Sequence, residues 1–259
     1  MLISEIATDH YSKTHLSMPT IVECQNWEDP VPTSSLNDLL TGQAFSDTTE
    51  IGPSIPQRWL VPLPEVSTET EACLGLLTDK EKERADRFRH EGARQQFIVG
   101  HGVIHLLLKQ YLKDQYRSIL WMESEHHKPF IRLPDASKPL EYNLSHCEGF
   151  IAVAMGKHSQ GIDIEKIRKL DDLEGISRQV FTESELERVF ETNDLETQHQ
   201  TFFKFWTCKE AALKADGTGF MKDPKSLELR FVSAAPSSHQ PVNWSDSIPS
   251  YSVAWTERF

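Results

Sequence analysis

Apolar residues recur at helical spacing along two long segments of the chain. In residues 93–112 they form one broad face of an amphipathic helix. A second long helix is predicted over 195–215, and Gly217 follows it where a left-handed residue commonly ends a helix. Shorter helices are predicted to begin after Thr78 and Thr182, because a glutamate three residues later completes a capping box at each position.

Short apolar or alternating segments between these helices predict β-strands. The predicted strands cover residues 57–63, 118–122, 141–146, 150–155, 161–165, 227–232 and 251–255. A turn at Gly149 separates strand 141–146 from strand 150–155. The turn 157–160 joins strand 150–155 to strand 161–165 as an antiparallel hairpin. A long helix followed by a strand occurs twice, at 93–112 with 118–133 and at 195–215 with 227–233, although no sequence repeat is detectable.

Composition narrows the class of protein. The 259 residues are 38% apolar, which is enough for a buried core in one large domain or two small ones. No run of about 18 apolar residues predicts a membrane span, and the N-terminus does not resemble a secretory signal. The four cysteines are scattered without a Cys-x-x-Cys pair, which favours a reducing cytosol over a zinc site or disulfide framework. A formal charge of −12 disfavours nucleic acid and anionic membranes as partners. Together with the cysteine pattern, this predicts a cytoplasmic protein that binds neither.

Residues 1–55 differ in composition from the rest of the chain. They are rich in Ser, Thr, Pro, Asp and Gly and show little periodicity. Such segments bury too little apolar surface to offset the entropy of ordering. We therefore expect a poorly ordered N-terminal extension.

Candidate chemistry concentrates in the predicted strand 161–165 and the second long helix. Side chains alternate along a strand, so Asp163 and Glu165 point to one face. Glu210 and Lys214 share one helix face because they are four residues apart. If the two faces meet, the three carboxylates form a site for Mg²⁺, with Lys214 beside a phosphate that the metal holds. Taken singly, each pattern is more common on a solvated surface.

In combination, these residues resemble the two signature motifs of the 4′-phosphopantetheinyl transferase superfamily, Sfp type. The first motif is Gly-Ile-Asp-Ile-Glu, and the second is Phe-x-x-x-Trp-Thr-x-Lys-Glu-Ala-x-x-Lys followed by a glycine. The residues that carry the resemblance are Asp163, Glu165, Trp206, Lys209, Glu210, Lys214 and Gly217. The resemblance begins near Trp59 and leaves residues 1–55 outside it.

The resemblance implies an α+β fold of two similar α/β halves related by a pseudo-twofold, which the repeated order of helix and strand suits. Each half is a small, mainly antiparallel sheet packed on a long helix, with the active site in the cleft between them. The N-terminal half would span residues 56–156 and the C-terminal half 157–259. Because one chain supplies both halves, a monomer is expected.

The implied reaction transfers 4′-phosphopantetheine from coenzyme A to a serine of an apo acyl- or peptidyl-carrier protein, releasing 3′,5′-ADP. Mg²⁺ bound by Asp163, Glu165 and Glu210 would stabilise charge on the pyrophosphate. Lys214 and His146 would neutralise non-bridging oxygens, and Glu210 is the candidate acceptor of the serine proton. Lys209 has no role in this scheme.

The resemblance also implies residues that bind coenzyme A. Arg84 is at the position of a basic residue that meets the 3′-phosphate, and Lys128 matches the lysine of a Gly-Lys-Pro motif. Ser145 and His146 match an Asn-x-Ser-His-Ser motif that faces the phosphates. The chain departs from relatives that carry basic residues in place of its Glu81, His101 and His105, and Cys147 replaces the last serine of the third motif.

Two other functions are compatible with the same residues. A metal-dependent phosphohydrolase would use the three carboxylates on a nucleotide, with water as the nucleophile. A non-catalytic carrier-protein binding module would have lost turnover. The presence of Asp163, Glu165, Glu210 and Lys214 together argues against the second, because a site without turnover has no reason to keep all four.

Overall fold

The chain divides into two units at residue 159. The computed structural model describes residues 18–26, 33–41, 57–64, 67–126, 128–133, 139–217, 222–233 and 241–258. Described residues between 33 and 159 form the N-terminal unit, and residues 18–26 with those from 160 onward form the C-terminal unit. The α+β class predicted from the sequence is confirmed in both units.

The first element of the chain, strand β1 (Thr20–Asn26), belongs to the C-terminal unit. It pairs in parallel with the segments Leu227–Val232 and Val242–Ser245. The next element, helix α1 (Leu36–Thr41), buries two leucines in the core of the N-terminal unit. The expectation of a poorly ordered extension is therefore wrong for these two segments, because their tertiary partners lie far away in sequence. The rest of residues 1–55 lies almost entirely outside the described ranges.

The N-terminal unit is an antiparallel sheet packed on a long helix. Its remaining elements are β2 (Gln57–Pro62), α2 (Ser67–Leu76), α3 (Asp79–Ala85), α4 (Glu91–Leu112), β3 (Leu120–Glu123), β4 (Pro129–Arg132), β5 (Leu140–Cys147) and β6 (Phe150–Gly156). The strand order is β2-β6-β5-β4-β3. The apolar face of α4 enters the same core as residues of β2, β5 and β6, as its periodicity predicts. Gly149 forms the β5–β6 turn with a φ of 92°.

The C-terminal unit has a mixed sheet rather than a mainly antiparallel one. Its further elements are β7 (Ser159–Lys166), α5 (Leu173–Val180), α6 (Glu183–Val189), α7 (Leu195–Asp216), β8 (Leu227–Val232), β9 (Val242–Ser245) and β10 (Tyr251–Arg258). The strand order is β7-β10-β9-β1-β8. β10 pairs antiparallel with β9, whereas β1 is parallel to both neighbours. The N-terminal strand, which the sequence did not predict, accounts for this difference.

Local signals define the ends of the helices as expected. Both predicted capping boxes form, with Thr78 and Glu81 at α3 and Thr182 and Glu185 at α6. Gly217 ends α7 in the left-handed conformation, with a φ of 73°. Within the described ranges, no helix combines the length and apolar character needed to cross a bilayer.

Candidate active site

Strand β7 and helix α7 approach each other so closely that only glycine fits at position 161. A Cβ placed on Gly161 would lie 2.7 Å from the backbone nitrogen of Ala215 and closer still to the carbonyl oxygen of Ala211. Small residues on α7 at the contact allow this approach. As a result, residues that follow Gly161 on β7 lie beside the last turns of α7.

Asp163 and Lys214 form an ion pair across this contact. The Lys214 ammonium donates to Asp163 Oδ1 at 2.6 Å and to the carbonyl oxygen of Ile162 at 3.3 Å. The Asp163 side chain is only 4% exposed and that of Lys214 is 20% exposed. Burial alone would lower the pKa of Lys214, but the carboxylates of Asp163 and Glu210 outweigh it and raise the pKa. Lys214 is therefore a fixed cation that solvent can still reach.

Glu165 contacts the indole of Trp206. The Trp206 Nε1–H donates to Glu165 Oε1 at 3.4 Å, although Trp206 itself is buried in the core. Burial, followed by repulsion from Asp163, raises the pKa of Glu165 to about 7. Sequence reasoning assigned Trp206 to the core and missed this hydrogen bond. The sequence signal that could have indicated this hydrogen bond was the spacing of four residues between Trp206 and Glu210, which places the indole on the helix face that carries the predicted metal ligand.

Glu210 is the third carboxyl group of the cluster and is buried in α7. Burial raises its pKa to about 7; Lys214 opposes this shift, and Asp163 and Glu165 add to it. The three carboxylates thus repel one another in a poorly solvated place with Lys214 beside them. A hard divalent cation would relieve this repulsion, and carboxylate oxygens are the donors it prefers. The donor set therefore fits Mg²⁺ in charge and chemistry.

The carboxylates are not gathered in ligation geometry. Among the side chains that the structure describes, no three from His, Cys, Asp and Glu are close enough together to enclose a metal ion. Lys214 contacts one oxygen of Asp163, and Trp206 contacts one oxygen of Glu165. The predicted metal ligands stay a prediction.

Lys209 has a structural position that explains why no chemical role could be assigned to it. It is fully buried, and its Nζ lies 2.8 Å from Glu185 Oε2. It also donates to the carbonyl oxygens of Pro224 and Leu227 at 2.8 and 2.6 Å. Glu185, which caps α6, therefore also binds Lys209 of α7, and Lys209 in turn contacts the backbone at the start of β8.

Four of the five residues predicted to contact coenzyme A lie in the N-terminal unit, and the fifth is Lys214. Arg84, in the last turn of α3, is exposed, and its guanidinium is 5.1 Å from the centre of the Phe97 ring. Lys128, at the start of β4, donates to Ser159 Oγ at 2.6 Å. On β5, Ser145 is buried and His146 is partly exposed. The structure thus brings Asp163, Glu165, Glu210 and Lys214 together in one unit and places these four residues in the other.

Glu81 and His105, two of the departures from the family pattern, bind each other inside the N-terminal unit. His105 Nε2 lies 2.9 Å from Glu81 Oε2, and its Nδ1 lies 2.6 Å from the Tyr116 hydroxyl. Burial opposes ionisation of Glu81, but the bonds and charge of His105 and the bonds from Thr78 hold its pKa at about 2. The third departure, His101, packs on the Phe97 ring with centroids 4.0 Å apart. In this chain Glu81, His105 and Tyr116 therefore form an internal hydrogen-bonded network, and His101 packs beside it on Phe97.

Comparison with known families matches most of the chain in two consecutive parts. Residues 64–158 match the model of the 4′-phosphopantetheinyl transferase N-terminal domain, and residues 159–255 match that of the 4′-phosphopantetheinyl transferase superfamily. The two matched regions meet at the boundary between the structural units.

Individual proteins give the same result. The chain is 31% identical over 183 residues to the 4′-phosphopantetheinyl transferase HetI of Nostoc sp., covering 70% of this chain and 76% of that protein. It is 31% identical over 156 residues to gsp of Aneurinibacillus migulanus, covering 60% of this chain and 62% of the relative. With Sfp of Bacillus subtilis it shares 26% over 195 residues, or 72% and 84% of the two chains. The chain therefore belongs to the 4′-phosphopantetheinyl transferase superfamily, the enzyme class that its two motifs predict.

Proposed function

We propose that the protein transfers 4′-phosphopantetheine from coenzyme A to a serine of an apo acyl- or peptidyl-carrier protein in a Mg²⁺-dependent reaction that releases 3′,5′-ADP. The observation that carries this proposal is the joining of both family motifs at one place. Gly161 allows β7 to contact α7, so Asp163 and Glu165 lie beside Glu210 and Lys214. In-line displacement at phosphorus depends on such positioning and on charge neutralisation more than on covalent catalysis.

Each side chain of the cluster has a distinct task in this reaction. Asp163, Glu165 and Glu210 would hold Mg²⁺, which when bound supplies charge neutralisation on the pyrophosphate of coenzyme A. Lys214 places a cation beside these carboxylates while a fifth of its side chain stays exposed, so it is available to a phosphate oxygen. Glu210 is the candidate acceptor of the serine proton. Trp206 orients Glu165 through its indole N–H.

Residues of the N-terminal unit would bind the nucleotide part of the donor. Arg84 is exposed and held over the Phe97 ring, which suits a contact with the 3′-phosphate. Lys128 and His146 offer further donors to phosphate oxygens, together with the hydroxyl of Ser145.

Intact-mass measurement of a carrier protein tests the proposal. An apo carrier incubated with the protein, coenzyme A and Mg²⁺ should gain the mass of one 4′-phosphopantetheine group. Glu210→Gln should abolish this gain, whereas the same substitution at the exposed Glu187 should leave it unchanged. Hydrolysis of coenzyme A with no carrier modified would instead establish a phosphohydrolase. Carrier binding without either reaction would establish a non-catalytic module.

A further inference from the structure

Strand β1 lies outside both family matches, yet it is an internal strand of the C-terminal sheet. The matches begin at residue 64, whereas β1 covers Thr20–Asn26. In the sheet it stands between β8 and β9, so those two strands are not neighbours. β1 thus joins β8 to the part of the sheet that contains β7 and Asp163. The gap between β8 and β9 that it fills is called the β8–β9 slot below.

Backbone pairing occupies both edges of β1. On one side the register runs from Thr20 opposite Leu227 to Gln25 opposite Val232. On the other side Cys24 is opposite Val242, and Asn26 is opposite Trp244. An empty slot would leave facing rows of backbone N–H and C=O groups without these partners, which is costly where water has poor access.

The side chains of β1 alternate between solvent and the underside of α7. Val22 is 5% exposed and Cys24 is fully buried, whereas Ile21, on the opposite face of the strand, is 43% exposed. Val22 and Cys24 belong to the same buried apolar cluster as Cys208 of α7, two residues before Glu210. β1 therefore supports the part of α7 that precedes the site.

The two strands that flank β1 also meet the same residue of α7. The Lys204 ammonium lies 4.1 Å from the centre of the Phe231 ring on β8 and 3.6 Å from that of Trp244 on β9. The slot thus has α7 as its floor and one aromatic side chain from each flanking strand. An alternating strand with small or β-branched inward residues fits it, and residues 20–26 have that pattern.

We propose that the β8–β9 slot is a strand-binding site whose occupant is the chain's own residues 20–26, and that its occupation keeps α7 in place for activity. Recognition is by main-chain pairing on both edges, with Val22 and Cys24 as the side chains that select the register. The first half of the proposal stands on the sheet alone. The second half, that occupation of the slot is needed for activity, rests on the proposed function, because it assumes that Glu210 and Lys214 of α7 take part in the transfer reaction.

Cleavage of the full chain between β1 and α1 tests the slot directly. A protease site inserted between Asp29 and Pro30 lets the folded protein be cut there. We expect the N-terminal fragment to stay with the remainder of the chain through gel filtration, because β1 is held on both edges. A fragment that separates at once from the cut wild-type protein would overturn the proposal.

Adjacent substitutions on the two faces of β1 supply the matched control. Val22→Thr places a hydroxyl against the core and should release the fragment about tenfold faster, whereas Ile21→Thr on the exposed face should release it at the wild-type rate. Equal release by both variants would overturn the role of the inward side chains.

Release of the fragment should also increase hydrogen exchange in α7 and abolish carrier modification. Full activity after release would overturn the second half of the proposal while leaving the transferase function intact.

Discussion

Lys214 lies in the last turn of α7, where the helix dipole favours a cation, and it contacts a carboxylate that is almost fully buried. Its partner Asp163 comes from a strand that is about fifty residues earlier in the chain. The pair therefore fixes β7 to α7 as well as supplying charge to the site. Removing one partner should therefore cost much more stability than breaking a surface ion pair, because the other charge would stay buried without it.

Replacing Lys214 should show this difference in metal-free buffer. Lys214→Met should lower the free energy of unfolding by about 3 kcal/mol, because it removes the cation that contacts a buried carboxylate. The control is Lys222→Met, whose partner Asp216 is 3.3 Å away on a more exposed part of the surface, with an expected loss below about 1 kcal/mol. Urea denaturation measures both, and equal losses would contradict the argument.

Arg84 should distinguish coenzyme A from dephospho-coenzyme A, which lacks the 3′-phosphate. In the wild-type protein the KM for dephospho-coenzyme A should be the higher by roughly tenfold or more, as expected for a lost charge-assisted contact. Arg84→Ala should raise the KM for coenzyme A to the dephospho value. Arg87→Ala, at an exposed residue just beyond the end of α3, should keep the discrimination. Loss of the discrimination in the Arg87 variant would exclude the assignment to Arg84.

At the scale of helices and strands, buried polar contacts determine how the elements are joined. The Lys209–Glu185 pair links α7 to the first turn of α6, and Glu185 Oε1 also accepts from the backbone N–H of Leu229 on β8. Three elements of the C-terminal unit thus meet at one ion pair that solvent does not reach. Lys209, the motif residue to which no chemical role is assigned, therefore has a structural role in joining these three elements.

Lys209→Met should therefore affect stability more than catalysis. We expect a loss of about 3–5 kcal/mol in the free energy of unfolding, because Glu185 would remain buried after its lysine is removed. The turnover of the folded fraction should stay within about threefold of wild type. Lys214→Met should lose a comparable free energy of unfolding, but its turnover should fall far more than threefold. A Lys209 variant that is stable but inactive would place Lys209 in the chemistry.

The contact between α3 and α4 should make stability depend on pH through Glu81. Its folded pKa of about 2 lies below the ordinary value of 4.5, so its contribution is fully present above about pH 4.5 and is lost as the pH falls toward 2. Glu81→Gln should cost about 2–3 kcal/mol at pH 7 and almost nothing near pH 2. Glu83→Gln, on the exposed face of α3, should cost little at either pH. Denaturant titrations across this range would test the difference.

At the scale of the whole molecule, the proposed reaction divides its residues between the two units. The carboxylates and Lys214, which is proposed to contact a phosphate of coenzyme A, are in the C-terminal unit, whereas Arg84, Lys128, Ser145 and His146 are in the N-terminal unit. Metal binding should therefore change the C-terminal unit of the whole protein and leave the N-terminal unit unchanged. The net charge of −12 is compatible with this proposal, because a few local cations can meet an anionic donor.

Hydrogen exchange with and without Mg²⁺ tests this division. Added Mg²⁺ should slow exchange in β7 and the second half of α7, because a ligand that binds only the folded form stabilises the elements that hold it. Exchange in α4 of the N-terminal unit should not change. Glu210→Gln should remove the effect on α7. Uniform protection of both units, or protection that survives this substitution, would argue against the three carboxylates as ligands.

Determinants that are local in sequence could be predicted, and those that depend on distant partners could not. Both long helices and both capping boxes follow from patterns within a few turns of chain. Strand β1 could not be predicted because its seven residues pair with segments about two hundred positions later. The Trp206–Glu165 bond and the Lys209–Glu185 pair were missed for the same reason. The proximity of Asp163 to Lys214 was expected from the family resemblance, whereas alternation in the strand alone favoured a solvated surface.

Gly161 has a consequence for how the protein tolerates random substitution. It has no functional group, yet any side chain there would meet the backbone of α7 and force β7 away from it. The displacement would separate Asp163 from Lys214 even if the protein still folded. A saturation library selected for carrier modification should therefore show position 161 to be as intolerant as the acidic positions. A library selected only for soluble expression should rank Gly161 as more tolerant than the core aromatics, and comparison of the two would separate residues that set distances from residues that supply chemistry.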